Sequence, residues 1–261
     1  MRAKRGLHKA FRLRRLNPGE AFTAALLGKV DSVEQYALSE DQIKQLKERG
    51  WHQAVHSLSY ENFLLMNPRQ VSRPLREAIA SIVESDSLVR DLGRAELQPA
   101  YGLIPPVLAG SLKSPPAPID VKKMEQSSVT IQYNETNDLH AQTARWLKEK
   151  LAARGVDVLI EPLAFDMYYE VLLGKKGGMI IAGKGLDYPD GLANLAYFRT
   201  DVPNNFLFME NSVLDEELRG LPFKNVEDRV QAYQDLQWKI LAQKTIVPLF
   251  FGHVTSGLWS P

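Results

Sequence analysis

The chain contains no cysteine among its 261 residues. This absence excludes a disulfide framework, a catalytic thiolate and any metal or iron–sulfur site with cysteine ligands. It is compatible with every compartment and is favourable in an oxidising one. No apolar run approaches the roughly 18 residues that a bilayer-spanning helix needs. The N-terminal segment also lacks the apolar stretch of a secretory signal peptide.

Neither sign of charge dominates, because the chain has 32 basic and 31 acidic residues and a net charge of +1. A near-neutral chain has no overall electrostatic reason to bind nucleic acid, and we expect no nucleic-acid partner. The segment 1–16 is nevertheless basic. A nucleic-acid or membrane arm is one interpretation of it. Because Phe11 and Leu13 alternate with Arg12 and Arg14, we favour a half-buried strand.

The common catalytic and cofactor motifs are missing from the sequence. No glycine–lysine pair is followed by Ser or Thr, as a phosphate loop requires. Gly183 and Gly185 begin like a dinucleotide fingerprint, but Tyr188 occupies the third glycine position. His52 and His56 are four residues apart in a segment that reads as a strand, where they would be too far apart to share a metal ion. We therefore predict a non-catalytic protein without cofactor or metal.

Several helices and strands can be predicted from their end signals and periodicity. Asn17 with Glu20, and Ser39 with Gln42, have the spacing of capping boxes. Residues 51–58 and 60–66 have the composition of strands. Asp86 is predicted to cap a short helix. Further helices are expected over 75–83 and from Asn225 onward, and late strands over 245–251 and 253–259. Residues 95–128 lack periodicity and contain six prolines, which is typical of a long loop or linker.

The clearest unit spans residues 129–162. Alternating apolar residues over 129–133 and 156–160 predict strands, and 138–154 has the pattern of a helix. A strand, helix and strand with short connections predict a right-handed parallel crossover. A short helix and a buried strand over 178–182 follow. Ligands bind at the carboxyl ends of strands in open α/β sheets, so the loop 183–191 is the first place to seek a function.

Asp187 and Asp190 are the candidate binding residues of this loop. Two carboxylates shielded from water would bind a cationic group such as an ammonium strongly. The alternative is ordinary turn chemistry, because Asp, Pro and Gly are common turn formers. Tyr188 is a candidate for packing against ligand side chains, and Lys184 for meeting an anionic end of a ligand.

A series of short motifs gives the chain a resemblance to a known family. Its stretches, in order, are 24–31 (AALLGKVD), 63–67 (FLLMN), 73–80 with 86–89, 99–106 (PAYGLIPP), 144–158, 183–190 (GKGLDYPD), and 204–205 with 211–215. They resemble the periplasmic oligopeptide- and dipeptide-binding proteins of ABC transporters, solute-binding protein family 5. The match runs from Phe11 to Trp259. Lys184 stands where the family has tryptophan, and the region 110–129 is shortened.

The resemblance implies an α/β, periplasmic-binding-protein-like lobe of the type II, venus-flytrap kind, with a mixed, parallel-containing sheet flanked by helices. Family members are much longer, so the match implies their C-terminal half only and a fragment of a longer protein. Residues 1–60 would be a remnant of the large lobe and the crossover. Residues 61–243, with the proline-rich loop 95–128, would form the second ligand-binding lobe, and 244–261 would return to the large lobe.

The resemblance implies that the protein binds a solute for import by an ABC transporter, and we expect this solute to be a peptide. Asp187 matches the family residue that grips the α-ammonium of the peptide, and we expect Tyr188, Lys184, Asp190 and Asn205 to contribute to the site. The expected partners are a peptide or other small solute and a transporter permease. A monomer in the periplasm is expected. The alternatives are the ligand-sensing domain of a transcriptional regulator with the same fold, a hydrolase on a similar sheet, and a lobe that binds nothing alone.

Overall fold

The computed structural model describes residues 12–33, 38–94, 97–115, 127–186, 188–202, 205, 208 and 212–260. The chain divides into two units, one comprising Met1–His56 with Val254–Pro261 and the other Ser57–His253. The attribution of these parts to lobes of a larger protein stays a prediction. Within the described residues, none of the helices combines the length and the apolar character that a membrane crossing requires.

The described helices and strands alternate along much of the chain. The helices are α1 (Pro18–Leu26), α2 (Glu40–Glu48), α3 (Arg73–Ile82), α4 (Ser85–Leu92), α5 (Asp138–Ala152), α6 (Phe165–Leu173), α7 (Gly191–Leu195), α8 (Ser212–Gly220) and α9 (Val226–Ala242). The strands are β1 (Ser32–Val33), β2 (His52–Met66), β3 (Leu97–Pro99), β4 (Ser127–Asn134), β5 (Val156–Leu163), β6 (Met179–Lys184) and β7 (Ile246–Trp259).

In the smaller unit, both predicted capping boxes are confirmed. The Asn17 side chain accepts a hydrogen bond from the Glu20 amide at 2.9 Å, and the Glu20 carboxylate accepts one from the Asn17 amide at 3.1 Å. Ser39 and Gln42 repeat this exchange at the start of α2. These bonds satisfy amides that a helix N-terminus otherwise leaves unpaired. A small core holds the unit together, formed by Ala21, Ala25, Val33, Leu46, Trp51 and Leu258.

In the larger unit, β5, β4, β6, β2 and β7 lie side by side in that order. The predicted parallel pairing of the two strands around α5 is confirmed, because β4 and β5 are parallel over their whole length. Strand β6 is parallel to β4 and antiparallel to β2, and β3 is antiparallel to β7. The sheet is therefore mixed, as expected.

The order of strands creates a switch point between β4 and β6. From β4 the chain passes through α5 to β5 on one side, and then through α6 to β6 on the other side of β4. Helix α5 packs with Ile131 and Ile181 in one core layer, and α6 packs with Ile180 and Ala182 in the other. A crevice forms where helices leave adjacent strands toward opposite faces. In this fold, that crevice lies at the carboxyl ends of β4 and β6.

The proline-rich segment 97–115 has little regular structure and is held by side chains of neighbouring helices. The Ala100 amide donates to Ser85 Oγ at 2.7 Å, and the Tyr101 hydroxyl donates to the Asp86 carboxylate at 2.8 Å. Gln237 of α9 is fully buried and accepts hydrogen bonds from the amides of Leu103 and Ile104 at 2.9 and 3.1 Å. Its amide nitrogen donates to the Gly110 carbonyl at 2.8 Å.

Three local predictions were wrong. The strand predicted around Leu13 is absent, because no described strand pairs with residues 12–17, which form neither helix nor strand. Leu13 is 97% exposed. Phe11 lies outside the described residues. Asp86 does not cap α4, whose cap position is Glu84, since the Asp86 carboxylate is engaged by Tyr101. Residues 52–66 form one strand, as do 246–259, where two were predicted in each case.

Candidate functional site

A cavity of about 490 Å³ lies at the switch point of the larger unit. The end of β4 and the start of α5, one face of α6, and the end of β6 form its walls. Tyr60 of β2 and Tyr197 complete the lining, which consists of Tyr60, Asn134, Asn137, His140, Tyr168, Tyr169, Leu172, Leu173, Gly183, Lys184, Gly185, Leu186 and Tyr197. Its position agrees with the rule that ligands of open α/β sheets bind at the carboxyl ends of strands.

Buried hydrogen bonds fix the strand that brings Lys184 to the cavity. Asn67, at the end of β2, donates from its side chain to the carbonyls of Lys175 and Gly177 at 3.1 and 3.0 Å. These bonds fix the position of residues 175–177, which lead into β6. Farther along β6, a Cβ atom at Gly183 would overlap the Tyr60 ring. Glycine is therefore required where these two strands approach the cavity.

The first turn of α5 contributes a buried histidine to the wall. Asn137 caps the helix by accepting from the His140 amide at 3.0 Å. The His140 ring nitrogen Nε2 lies 3.1 Å from Asn62 Oδ1, and the Asn62 amide donates to the Tyr60 carbonyl at 3.3 Å. With the Asn62 amide used in this way, Nε2 of His140 is the donor and Nδ1 is left as an acceptor. Burial lowers the pKa of His140 to about 4, so the ring is neutral at neutral pH.

Tyr168 and Tyr60 in the wall are neutral as well. The Tyr168 hydroxyl donates to the Ile181 carbonyl at 3.1 Å. Burial, reinforced by the neighbouring phenols, raises the pKa of both Tyr168 and Tyr60. Because the hydroxyl proton of Tyr168 is used by Ile181, this residue offers a ligand an uncharged aromatic surface for its apolar parts. The described residues contain no group of three metal-ligating side chains.

Lys184 is the predicted site residue that the structure brings to the cavity. Its ammonium donates to the Ala193 carbonyl at 2.6 Å and lies 3.3 Å from the centre of the Tyr197 ring, a cation–π contact. Asp187 lies outside the described residues. Tyr188 is 44% exposed and does not belong to the lining.

Asp190 and Asn205 do not belong to the lining of the cavity. The Asp190 carboxylate caps α7 by accepting from the Leu192 amide at 2.8 Å, and it also accepts from the Tyr233 hydroxyl and lies 3.8 Å from Arg229. Asn205 is buried and donates to the Arg199 carbonyl at 2.6 Å. These contacts stabilise the loops themselves. The roles of Asp187, Tyr188, Asp190 and Asn205 in binding stay predictions.

The sequence analysis did not identify His140 and Tyr60 as cavity residues, and it did not identify the buried Glu61. The sequence analysis gave His140 no role, but its ring forms part of the cavity wall. The rule that selected the loop after β6 also applies to the loop after β4, and it would have drawn attention to 134–140. No such signal existed for Glu61, which is 1% exposed and accepts from Asn194 at 3.1 Å, 133 residues away.

The fold and the cavity together define a class of architecture, an α/β lobe with a mixed sheet and a site at its switch point. Solved structures with a similar fold include proteins in complex with peptides. The chain is similar to OppA of Haemophilus influenzae in complex with the peptide RPPGFSPFR, with a TM-score of 0.72, 19% identity, and coverage of 94% of this chain and 52% of that one. It is also similar to DppA of Helicobacter pylori in complex with the peptide STSA, with a TM-score of 0.73, 18% identity, and coverage of 93% and 50%.

A third similar structure has another kind of ligand. NikA of Brucella suis, in complex with Fe(III)-EDTA, gives a TM-score of 0.69 at 15% identity over 94% of this chain and 56% of that one. No protein-family model and no curated protein sequence matches the chain. At these identities the likeness establishes the fold, and the predicted periplasmic-binding-protein-like fold is confirmed. The chain spans about half the length of these proteins.

Proposed function

We propose that this chain is a ligand-binding lobe of a solute-binding protein that serves an ABC transporter. The cavity at the carboxyl ends of β4 and β6 carries the proposal, because it places polar and aromatic side chains where this fold class binds ligands. The resemblance of the loop 183–190 to the peptide-binding family supports a peptide as the ligand. So do the peptides named in the complexes of OppA and DppA.

The proposal assigns part of the binding site to this chain. The matched proteins are about twice as long, and in a two-lobed protein the remaining ligand contacts would come from outside the chain. We propose binding without catalysis, in the periplasm, with delivery to a permease by a monomeric protein. The described cavity offers hydrogen-bond donors, aromatic rings and one ammonium, which suit recognition of a small polar solute.

Filling the cavity is expected to abolish peptide binding. Gly185 lies in the lining and has room for a Cβ atom, whose nearest neighbour would be the Tyr60 ring at 3.7 Å. The rest of a leucine side chain would then take up ligand space, so Gly185→Leu should lose most of the heat that wild type gives with a mixed tripeptide library in calorimetry. Gly220→Leu is the matched control, because a Cβ there meets nothing within 4 Å. Equal binding by wild type and Gly185→Leu would contradict the proposed site.

Asp187 is proposed to bind the α-ammonium of the peptide, as its place in the family motif implies. Removal of one partner of a buried charge pair costs about 2–5 kcal/mol in binding. Asp187→Ala should therefore weaken binding of the tripeptide library at least about tenfold. N-acetylated tripeptides lack the ammonium and should bind wild type more weakly by a similar factor. If Asp187→Ala binds as wild type does, the residue has no anchoring role.

A further inference from the structure

The cavity has two walls of different chemistry. The wall at the end of β4 and the start of α5 is polar, and its lining residues are Asn134, Asn137 and His140. The wall formed by α6 is apolar and aromatic, and its lining residues are Tyr168, Tyr169, Leu172 and Leu173. A peptide combines a polar backbone with side chains of varied chemistry, so the two walls can bind different parts of the same ligand.

Three aromatic rings of α6 contact one another in a row. The ring centres of Phe165 and Tyr169 are 4.8 Å apart with 54° between the ring planes, and those of Tyr169 and Tyr168 are 5.5 Å apart with 87° between them. Such tilted and edge-to-face arrangements are favourable, because the positive edge of one ring meets the negative face of the other. These contacts hold the Tyr169 ring in position at the cavity.

The aromatic wall is anchored on the sheet by a buried tyrosine. The Tyr168 hydroxyl donates to the Ile181 carbonyl of β6, and the residue is 5% exposed. Leu172, one turn farther along α6, is also buried. Tyr60 of β2 adds a further ring to the lining. Burial raises the pKa of Tyr60, and the neighbouring Tyr169 phenol adds to this effect, so these two phenols lie near each other.

The aromatic surface of α6 extends out of the cavity. Phe165, Tyr169 and Leu173 are spaced four residues apart and therefore lie along one side of the helix. We call these three residues the α6 stripe; they are between 43% and 56% exposed. Single exposed apolar side chains are normal, whereas a contiguous group that borders a cavity is typical of a ligand-binding groove. Tyr169 and Leu173 also line the cavity, so the α6 stripe is continuous with the candidate site.

We propose that the α6 stripe binds an aromatic side chain of the peptide. The inference rests on the proposed function and adds a preference among peptides to it. A ligand ring on the stripe would remove apolar surface of both molecules from water, which is favourable. The Tyr169 ring adds an aromatic contact that an aliphatic side chain of similar size cannot make. The amides of Asn134 and Asn137 suit the polar backbone of the same peptide.

Peptides that differ in one side chain test this preference. Phe-Ala-Ala, Ala-Phe-Ala and Ala-Ala-Phe place the ring at each of three positions, and Ala-Ala-Ala is the reference. In calorimetry at neutral pH, wild type should bind at least one of the three about tenfold or more tightly than the reference. Cyclohexylalanine in place of the phenylalanine of that peptide keeps the apolar bulk without the aromatic ring. It should lower the affinity about threefold or more.

Substitutions of Tyr169 connect the preference to the α6 stripe. Tyr169→Ala should reduce the preference to less than about threefold, while its affinity for Ala-Ala-Ala stays within about twofold of wild type. Tyr169→Phe keeps the ring and should keep the preference. The matched control is Phe223→Ala, which removes a ring that is 90% exposed and does not line the cavity. It should behave as wild type does.

The inference and the proposed function fail in different ways. Equal affinities of wild type for all four peptides would overturn the inference while leaving peptide binding intact. The same holds if cyclohexylalanine binds as tightly as phenylalanine, if the preference persists in Tyr169→Ala, or if that variant loses Ala-Ala-Ala to the same extent. If none of the four peptides binds but the tripeptide library does, the inference is also overturned. If nothing binds, the proposed function is rejected together with it.

Discussion

Replacing Gln237 by leucine is expected to lower the free energy of unfolding by at least about 3 kcal/mol. The leucine would leave two amides and one carbonyl of the segment 102–110 without their partner in the protein interior. Each buried polar group that loses its hydrogen bond costs about 1–3 kcal/mol. The measurement is the urea-induced unfolding curve of the variant against that of wild type.

Two further substitutions make this test specific. Gln231→Leu lies on the same helix, where Gln231 is exposed and bonds only to Asp235 among its described contacts, so its effect should stay within about 0.5 kcal/mol. Gln237→Glu keeps an acceptor for the Leu103 and Ile104 amides, but its protonated carboxyl has one donor where the glutamine amide has two, for the carbonyls of Gly110 and Tyr233. Its loss should be intermediate at low pH. A Gln237→Leu variant within 1 kcal/mol of wild type would show that the segment does not depend on this side chain.

A second large effect is expected from Glu61 as pH changes. Its pKa is raised to about 8 in the folded protein by burial, whereas a carboxyl in the unfolded chain titrates near 4.5. Between these values the unfolded state loses its proton and the folded state keeps it. The stabilising contribution of protonated Glu61 is therefore fully present below about pH 4.5 and is lost as pH rises through about 8.

The size of this effect follows from the titration alone. Relative to Glu61→Gln, wild type should lose about 3–4 kcal/mol of stability between pH 5 and pH 9. Glutamine is uncharged and preserves an acceptor for Asn194. The difference between the two proteins isolates Glu61, because the five histidines and all other titrating groups are shared. Chemical unfolding at several pH values provides the measurement, and parallel curves for the two proteins would disprove the assignment.

The His140 ring changes the stability of the protein with pH in the direction opposite to Glu61. The pH dependence of wild type must therefore be compared with that of Glu61→Gln. Its pKa is lowered to about 4 by burial, so its contribution is lost as pH falls from about 6.5 to 4. Between pH 4.5 and 6.5 the two groups change stability in opposite directions. A wild-type curve alone would show a partial cancellation there.

Much of the fold could be predicted because the deciding interactions are local. Asn17 with Glu20, and Ser39 with Gln42, meet across three residues, and the helix period of α5 reports one buried face. The prediction of a strand around Phe11 and Leu13 was wrong. A strand must pair with another strand, and the alternation of four residues does not indicate whether a pairing strand exists. The continuity of β2 depends on pairing with distant strands, which its local composition does not encode.

The site was harder to predict than the fold for the same reason. The loop after β6 was found from a rule about strand ends, and Lys184 followed from it. His140 meets Asn62 across 78 residues, and Glu61 meets Asn194 across 133. Such polar contacts leave no periodic pattern in the sequence. They arise only when the strand order is known.

The outer position of β5 has a consequence for association between copies of the protein. In the order of the sheet β5 is the last strand, and Leu159 on it is 62% exposed. An outer strand with exposed apolar side chains can recruit a strand from another molecule and start aggregation. Here Asp157 and Glu161 are exposed on either side of Leu159, and Pro162 has no amide proton to donate. Charge repulsion and the missing donor would hinder edge-to-edge pairing of β5 with a strand of another molecule.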